Sequence, residues 1–229
     1  MQWPAYEPAA AVDDSVLDSL GAAPTTVVAD AMDRSGSVDA RIHHVGGPQR
    51  LAGRAFTVLA FPGDNLAVSQ ALGVAPPGSV LVVSVGGPPA DGYALVGEFV
   101  AMEAARRGLL GFVVDGPVRD VEELRAGPVG VFARAVCARG PVKATGGRLG
   151  WPIALGGVAV LTGDIVVADA DGVVVVPARV AVTVAEAVAV RLAAEVETRR
   201  RLRGGETLAA VQGFASYPHP LAAPGGEGR

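Results

Sequence analysis

Apolar and polar positions change their period several times along this chain, and each change marks an element. Residues 13–21 (DDSVLDSLG) open on two aspartates and close on Gly21. Residues 24–36 (PTTVVADAMDRSG) start at Pro24 and end on Gly36, so both stretches predict helices with ordinary start and stop signals. RLAGRAFTVLAFPGDN (50–65) alternates as a strand does and breaks at Pro62-Gly63-Asp64, after which NLAVSQALG (65–73) reads as a short helix. PPGSVLVVSVGG (76–87) is a turn followed by a strand that is apolar throughout, the mark of a strand covered on both faces. ALVGEFVAMEAARRG (94–108) places Leu95, Phe99 and Met102 on one helical face and stops at Gly108, and LLGFVVDG (109–116) is the next strand.

Strand, helix and strand at this spacing form a βαβ unit, so strands 79–85 and 110–115 are expected to be parallel. The second half turns β-rich through VGVFARAVCA (129–138), IALGGVAV (153–160) and DIVVADADGVVVVP (164–177). A long helix follows over roughly 179–203, and then a Pro/Gly tail expected to be mobile. The fold class is therefore α/β, with an N-terminal arm over 1–23, a central domain over 24–178 and a C-terminal helix and tail over 179–229.

Composition narrows the function classes. Of the 229 residues half are hydrophobic, enough for a sizeable core, and the net charge of −4 argues against nucleic-acid binding. The first residues lack a basic stretch, and no apolar run approaches the ~20 residues that span a bilayer, so a cytoplasmic protein without a membrane partner is expected. The one cysteine, Cys137, lies in an apolar run and reads as core packing; with it go any disulfide framework and any Cys-based zinc site.

Three motifs suggest chemistry and have plainer readings. DADGVVVVP (169–177) begins like a calcium loop but lacks the later oxygen ligands and the glutamate at loop position 12, so Asp171-Gly172 is read as a hairpin turn. RRRLR (199–203) closes a helix that carries Glu186, Glu195 and Glu197, and is read as a solvated helix end. His43-His44 have no partners at metal-ligand spacing, and His219 sits in the tail. No GxGxxG follows a strand and there is no Walker A sequence, so a nucleotide site finds no support.

One stretch is different. In GFVVDGPVRDVEELR (111–125) the strand delivers Arg119 and Asp120 side by side just past its end, where open α/β sheets bind ligands. Glu98 stands before Arg119 with 20 residues between them, near the start of the preceding helix, whose free backbone N–H groups suit a carboxylate. Two carboxylates, a guanidinium and helix-start amides fit a small anionic substrate with a hard divalent ion. A salt bridge of Arg119 with Asp120 or Glu123 at a helix start accounts for the same spacing equally well.

These residues resemble the family that includes the regulator of ribonuclease activity A and the 4-hydroxy-4-methyl-2-oxoglutarate aldolases. The resemblance covers roughly residues 24–210 and runs through TTVVADAMDRSG, RLAGRAFTV, PGDN, ALVGEFVAMEAARRGLLGFVVDGPVRD and GDIVVADADGVVVVP. Its most specific element is an acidic residue followed after 20 positions by Arg-Asp; the aldolase branch commonly has aspartate where this chain has Glu98. The resemblance implies a compact layered β/β/α domain of the swivelling type with helical terminal arms, assembled as a homotrimer or homohexamer. It implies a lyase that cleaves a small 2-oxo acid through a pyruvate enolate, as an aldolase or oxaloacetate decarboxylase does. Residue by residue, Asp120 would ligate Mg²⁺ or Mn²⁺, Glu98 would act through a metal-bound water, and Arg119 would bind substrate oxygens. The backbone of Leu95, Val96, Gly97 and Glu98 would hold the pyruvyl carboxylate, and Glu195 would come from the neighbouring subunit. The resemblance leaves two other classes open: a protein-binding regulator of an RNA-degrading enzyme, and a pathway lyase or cyclase repurposed for a larger substrate.

Overall fold

The pattern of burial along the central strands explains the architecture. In the computed structural model, which describes residues 12–86 and 92–214, the chain enters through α1 (Asp14–Ala22) and α2 (Thr25–Ala31). It continues through β1 (His43–Gly46), β2 (Leu51–Ala60), α3 (Leu66–Val74), β3 (Ser79–Val85), α4 (Glu98–Arg106), β4 (Gly111–Val118), α5 (Val121–Ala126) and β5 (Gly130–Val136). Then come β6 (Arg148–Leu149), β7 (Ile153–Leu155), β8 (Val158–Val160), β9 (Ile165–Asp169), β10 (Gly172–Val176), α6 (Ala181–Arg203) and α7 (Leu208–Val211). The tail with His219, the first residues of the N-terminal arm and part of the 86–98 loop fall outside the described range.

The main sheet runs in the order β1-β5-β4-β3-β2-β9-β10, with β6 on the end of β2, and β7-β8 form a separate hairpin. β2, β3, β4 and β5 are mutually parallel, so the expected βαβ unit is present. Every residue of β3 and of β4 is buried. Alternation then sorts them: Leu81, Val83 and Val85 enter the core under the helices, and Val80 and Val82 enter a second core with Phe132, Ile153, Leu155, Val166 and Val175. The fold is a curled mixed sheet with apolar layers on both faces.

Asp171-Gly172 does turn a hairpin, with Gly172 opposite Asp169 and at φ 139°, where a side chain is disfavoured. Asp169 has a further use: its carboxylate accepts both the Thr25 hydroxyl, at 2.6 Å, and the Thr25 N–H, at 2.9 Å, and thereby caps α2.

Two expectations are corrected. Leu95 lies before α4 and is buried, whereas Phe99 and Met102 point outward at 76% and 60% exposure. The face that meets the sheet is Ala101 and Ala104, because small side chains let the helix approach closely. Cys137 is half-exposed rather than core: its thiol donates to the Gly92 carbonyl at 3.4 Å and accepts the Arg139 N–H at 3.3 Å.

The described chain forms two compact units, one ending at Val188 and one beginning at Ala189. In the first, Ala181, Val184 and Val188 are buried. In the second, three of the four arginines of RRRLR find acidic partners, Arg199 with Glu195, Arg200 with Glu197 at 2.6 Å and Arg201 with Glu206 at 2.6 Å. That is a solvated helix end. No helix among the described residues is long and apolar enough to cross a membrane.

Candidate active site

The chain returns from β3 beside the end of β4. Leu95 N–H donates to the Pro117 carbonyl at 2.9 Å, and Arg119 N–H donates to the Val96 carbonyl at 3.0 Å. Residues 94–97 thus lie as a short extra strand along 117–119, and α4 starts at Glu98 directly above the Arg-Asp pair. Asp120 takes a left-handed backbone (φ 57°, ψ 49°), which aspartate tolerates better than most residues. Its Oδ2 accepts the Glu98 N–H at 3.1 Å and stands 3.4 Å from Arg119 Nε. Oδ1 has no protein donor among the described residues.

Two glycines make room for this pair. A Cβ on Gly97 would lie 2.5 Å from Asp120 Oδ2 and 3.0 Å from Arg119 Cγ. The Gly97 backbone is extended, so its requirement for glycine is one of space alone. A Cβ on Gly140 would collide with Arg119 Nη1. The Arg119 side chain therefore runs close past two bare backbones, Gly97 at its Cγ and Nε and Gly140 at its Nη1.

Arg119 and Asp120 line a crevice of about 260 Å³ together with Asn65, Ser69, Leu72, Ala94–Gly97, Phe99, Val100, Pro141 and Lys143. It lies beyond the carboxyl ends of β2, β3 and β4, where this class of sheet binds ligands. Two nine-residue helices begin there, α3 after Asn65 and α4 after Gly97. The first amide of each already serves a carboxylate, Leu66 N–H that of Asp64 and Glu98 N–H that of Asp120, and Leu95 N–H is held by Pro117. What the crevice gains from the two helices is therefore their positive dipole ends and the amides that follow.

Asn65, Lys143 and Gly140 carry no signal of a role in the sequence. Asn65 is 4% exposed and donates to the Leu95 carbonyl at 3.0 Å, which ties the end of β2 to the α4 loop. Its Oδ1 is the buried side-chain polar atom left without a partner among the described residues. Such an orphan acceptor calls for a donor from water or a ligand. Its neighbour Asp64 accepts the Leu66, Ala144 and Thr145 N–H groups at 2.8, 2.8 and 2.6 Å, and so pins the loop that carries Lys143. The Leu66 amide chiefly, with the Ala144 and Thr145 amides, holds the Asp64 carboxyl below its ordinary pKa against the opposing effect of burial.

Glu98 behaves differently from its two partners. Its amide belongs to the crevice, but its side chain lines a neighbouring depression between α4 and α5 with Met102, Glu123 and Leu124. Glu195 lies in the second unit, half-exposed and paired with Arg199 one turn on.

No set of three or more Asp, Glu, His or Cys side chains converges among the described residues, so they form no all-protein metal cage. Mg²⁺ commonly keeps several waters and takes only one or two carboxylates plus substrate oxygens. Asp120, with Oδ1 undonated beside an anion-favouring crevice, fits that demand.

Comparison with known proteins finds similar sequences and similar folds. The family model for RraA-like proteins, described as Aldolase/RraA, matches residues 25–175. A Thermus thermophilus protein named 4-hydroxy-4-methyl-2-oxoglutarate aldolase is 36% identical over 153 residues, covering 67% of this chain and 92% of that one. The solved structure of the RNA-processing inhibitor RraA from Thermus thermophilus superposes with a TM-score of 0.62 at 36% identity, over 68% of this chain and 93% of its own. Streptomyces coelicolor RraAS2, described as an unusual member of the RNase ES inhibitor RraA protein family, gives 0.72 at 27% identity, over 82% and 98%.

Proposed function

This chain belongs to the RraA-like family, and on that premise we propose that it is a divalent-metal-dependent lyase that cleaves a small 2-oxo acid through a pyruvate enolate. One observation carries the reading. Arg119, an undonated carboxylate oxygen of Asp120 and two helix starts face one small crevice. The aldolase name of the Thermus relative supports it.

Each residue of the crevice has its own part in such a reaction. The amides at the start of α4 receive the carboxylate of the 2-oxo acid, and Lys143 suits a second carboxylate at the far end of the substrate. Arg119 presents its planar donors to the keto oxygen. Asp120 would hold Mg²⁺ or Mn²⁺, which supplies positive charge next to an oxygen that becomes negative. When the bond beyond C3 breaks, its electron pair moves into the keto group, and Arg119 stabilises the enolate oxygen. In retro-aldol cleavage the 4-hydroxyl gives up its proton and leaves as a carbonyl; in oxaloacetate the leaving group is CO₂ and no base is needed. Glu98, which lines the adjoining depression, serves the proton transfers through water.

We expect a further carboxylate to come from a neighbouring copy, with Glu195 as the candidate, in a homotrimer or homohexamer. The outward Phe99 and Met102 beside the crevice give a second copy an apolar face to cover. Light scattering that finds an active monomer contradicts this assembly.

The second reading is a regulator that binds an RNA-degrading enzyme, favoured by two structural relatives being described as an RNA-processing inhibitor and a member of an RNase ES inhibitor family. Incubation with Mg²⁺ and either oxaloacetate or 4-hydroxy-4-methyl-2-oxoglutarate separates the two. Pyruvate above the metal-only background is expected. None from either substrate would remove both substrates and bring the regulator forward.

A further inference from the structure

β4 and β5 pair in two registers. Val114 faces Ala133, yet Pro117 faces Ala135, so Asp115 and Gly116 together stand opposite Arg134 alone. This is a β-bulge, a device that breaks the ladder locally and re-aims the rest of the strand. Here side chains tie the break. Arg134 Nε donates to Asp115 Oδ1, the Gly156 N–H donates to Asp115 Oδ2 at 2.7 Å, and Arg134 Nη1 donates to Asp39 Oδ2 at 3.0 Å. The Arg134 and Asp115 side chains are only 6% and 11% exposed, so water cannot readily replace a lost partner. None of the three lines the crevice of Arg119.

The register beyond the bulge decides what stands behind Arg119. Val118 faces Val136, the Cys137 N–H donates to the Val118 carbonyl at 2.9 Å, and the Arg139 carbonyl accepts the Ala94 N–H at 2.8 Å. That succession of contacts brings Gly140 against Arg119 Nη1, where a Cβ would collide. A slip of one residue would bring Arg139 or Pro141 there instead, and would exchange the two faces of the strand end.

We propose that the Asp39–Arg134–Asp115 cluster is a positioning device that clamps the bulge at Asp115-Gly116 and so sets Arg119 and Asp120 in the crevice. It acts through the strand rather than on substrate, and as a statement about catalysis it rests on the lyase reading above.

Asp115→Asn tests it, since the amide keeps the shape and loses the charge. The first readout is the ¹⁵N NMR signal of the Arg119 side-chain Nε–H, assigned by its loss in Arg119→Lys. The clamp predicts that this signal moves in Asp115→Asn, that kcat falls roughly tenfold or more, and that KM stays within about twofold. It also predicts that the double variant with Arg119→Lys is no slower than Arg119→Lys alone. Arg134→Lys gives the same reading should Asp115→Asn fail to fold. An unmoved Arg119 signal in a folded variant, or additive losses in the double variant, overturns the proposal. If wild type forms no pyruvate, the lyase reading falls by itself and the Arg119 signal alone decides the clamp.

Discussion

Arg119→Lys is expected to slow pyruvate formation by roughly 10²-fold or more, the usual scale for losing a preorganised donor to a developing oxyanion. Lysine keeps the positive charge, so a site that needed charge alone would lose little. What it loses is the planar, two-pronged donor. The guanidinium packs close to the bare backbones of Gly97 and Gly140. A tetrahedral ammonium on a flexible stem has no such seat. The loss should appear in kcat and kcat/KM together, because the interaction strengthens only as the enolate forms. Stability should change little, as the side chain is 38% exposed and pairs with Asp120 at 3.4 Å. A lysine variant that keeps more than about a third of wild-type turnover would contradict the role given to the guanidinium.

Asp120→Asn should abolish turnover that depends on Mg²⁺ or Mn²⁺ while leaving the fold intact. The asparagine form is sharper than Asp120→Ala for two reasons. Asparagine tolerates the left-handed backbone at φ 57°, where alanine is disfavoured by roughly 1 kcal/mol. It also keeps an oxygen that can accept the Glu98 N–H and so preserves the start of α4. The charge at Oδ1 is then the main difference. Full activity in this variant, or in wild type with excess chelator, would remove the metal from the account.

Much of this architecture is legible in the residues themselves. The unbroken apolar run of 79–85 announces a strand buried on both faces, the Asp-Gly at 171–172 announces a hairpin, and the acids before RRRLR announce a solvated helix end. What was not legible depends on pairing across the chain. Helical spacing alone groups Leu95, Phe99 and Met102 on one helical face, but Leu95 lies before α4 and it is the small Ala101 and Ala104 that are buried. The bulge at Asp115-Gly116 is a relation between two strands and leaves no mark in either. Gly140 reads as one more loop glycine until Arg119 is seen against it. Asn65 sits in PGDN, where a turn explains it; only its buried, orphaned Oδ1 and its bond to the Leu95 carbonyl set it apart. Arg119 and Asp120 stand out because they fall just past a strand's carboxyl end, where open sheets bind ligands, whereas the separate depression that Glu98 lines depends on how α4 and α5 pack.

The central claim is that this crevice makes a pyruvate enolate, and proton exchange tests that without reference to the natural substrate. Pyruvate is incubated with the protein and Mg²⁺ in D₂O, and its methyl signal is followed by proton NMR. The account predicts that the signal decays well above the metal-only rate, and that Arg119→Lys slows the decay by roughly 10²-fold. A folded wild-type protein whose pyruvate methyl exchanges no faster than with Mg²⁺ alone would contradict it.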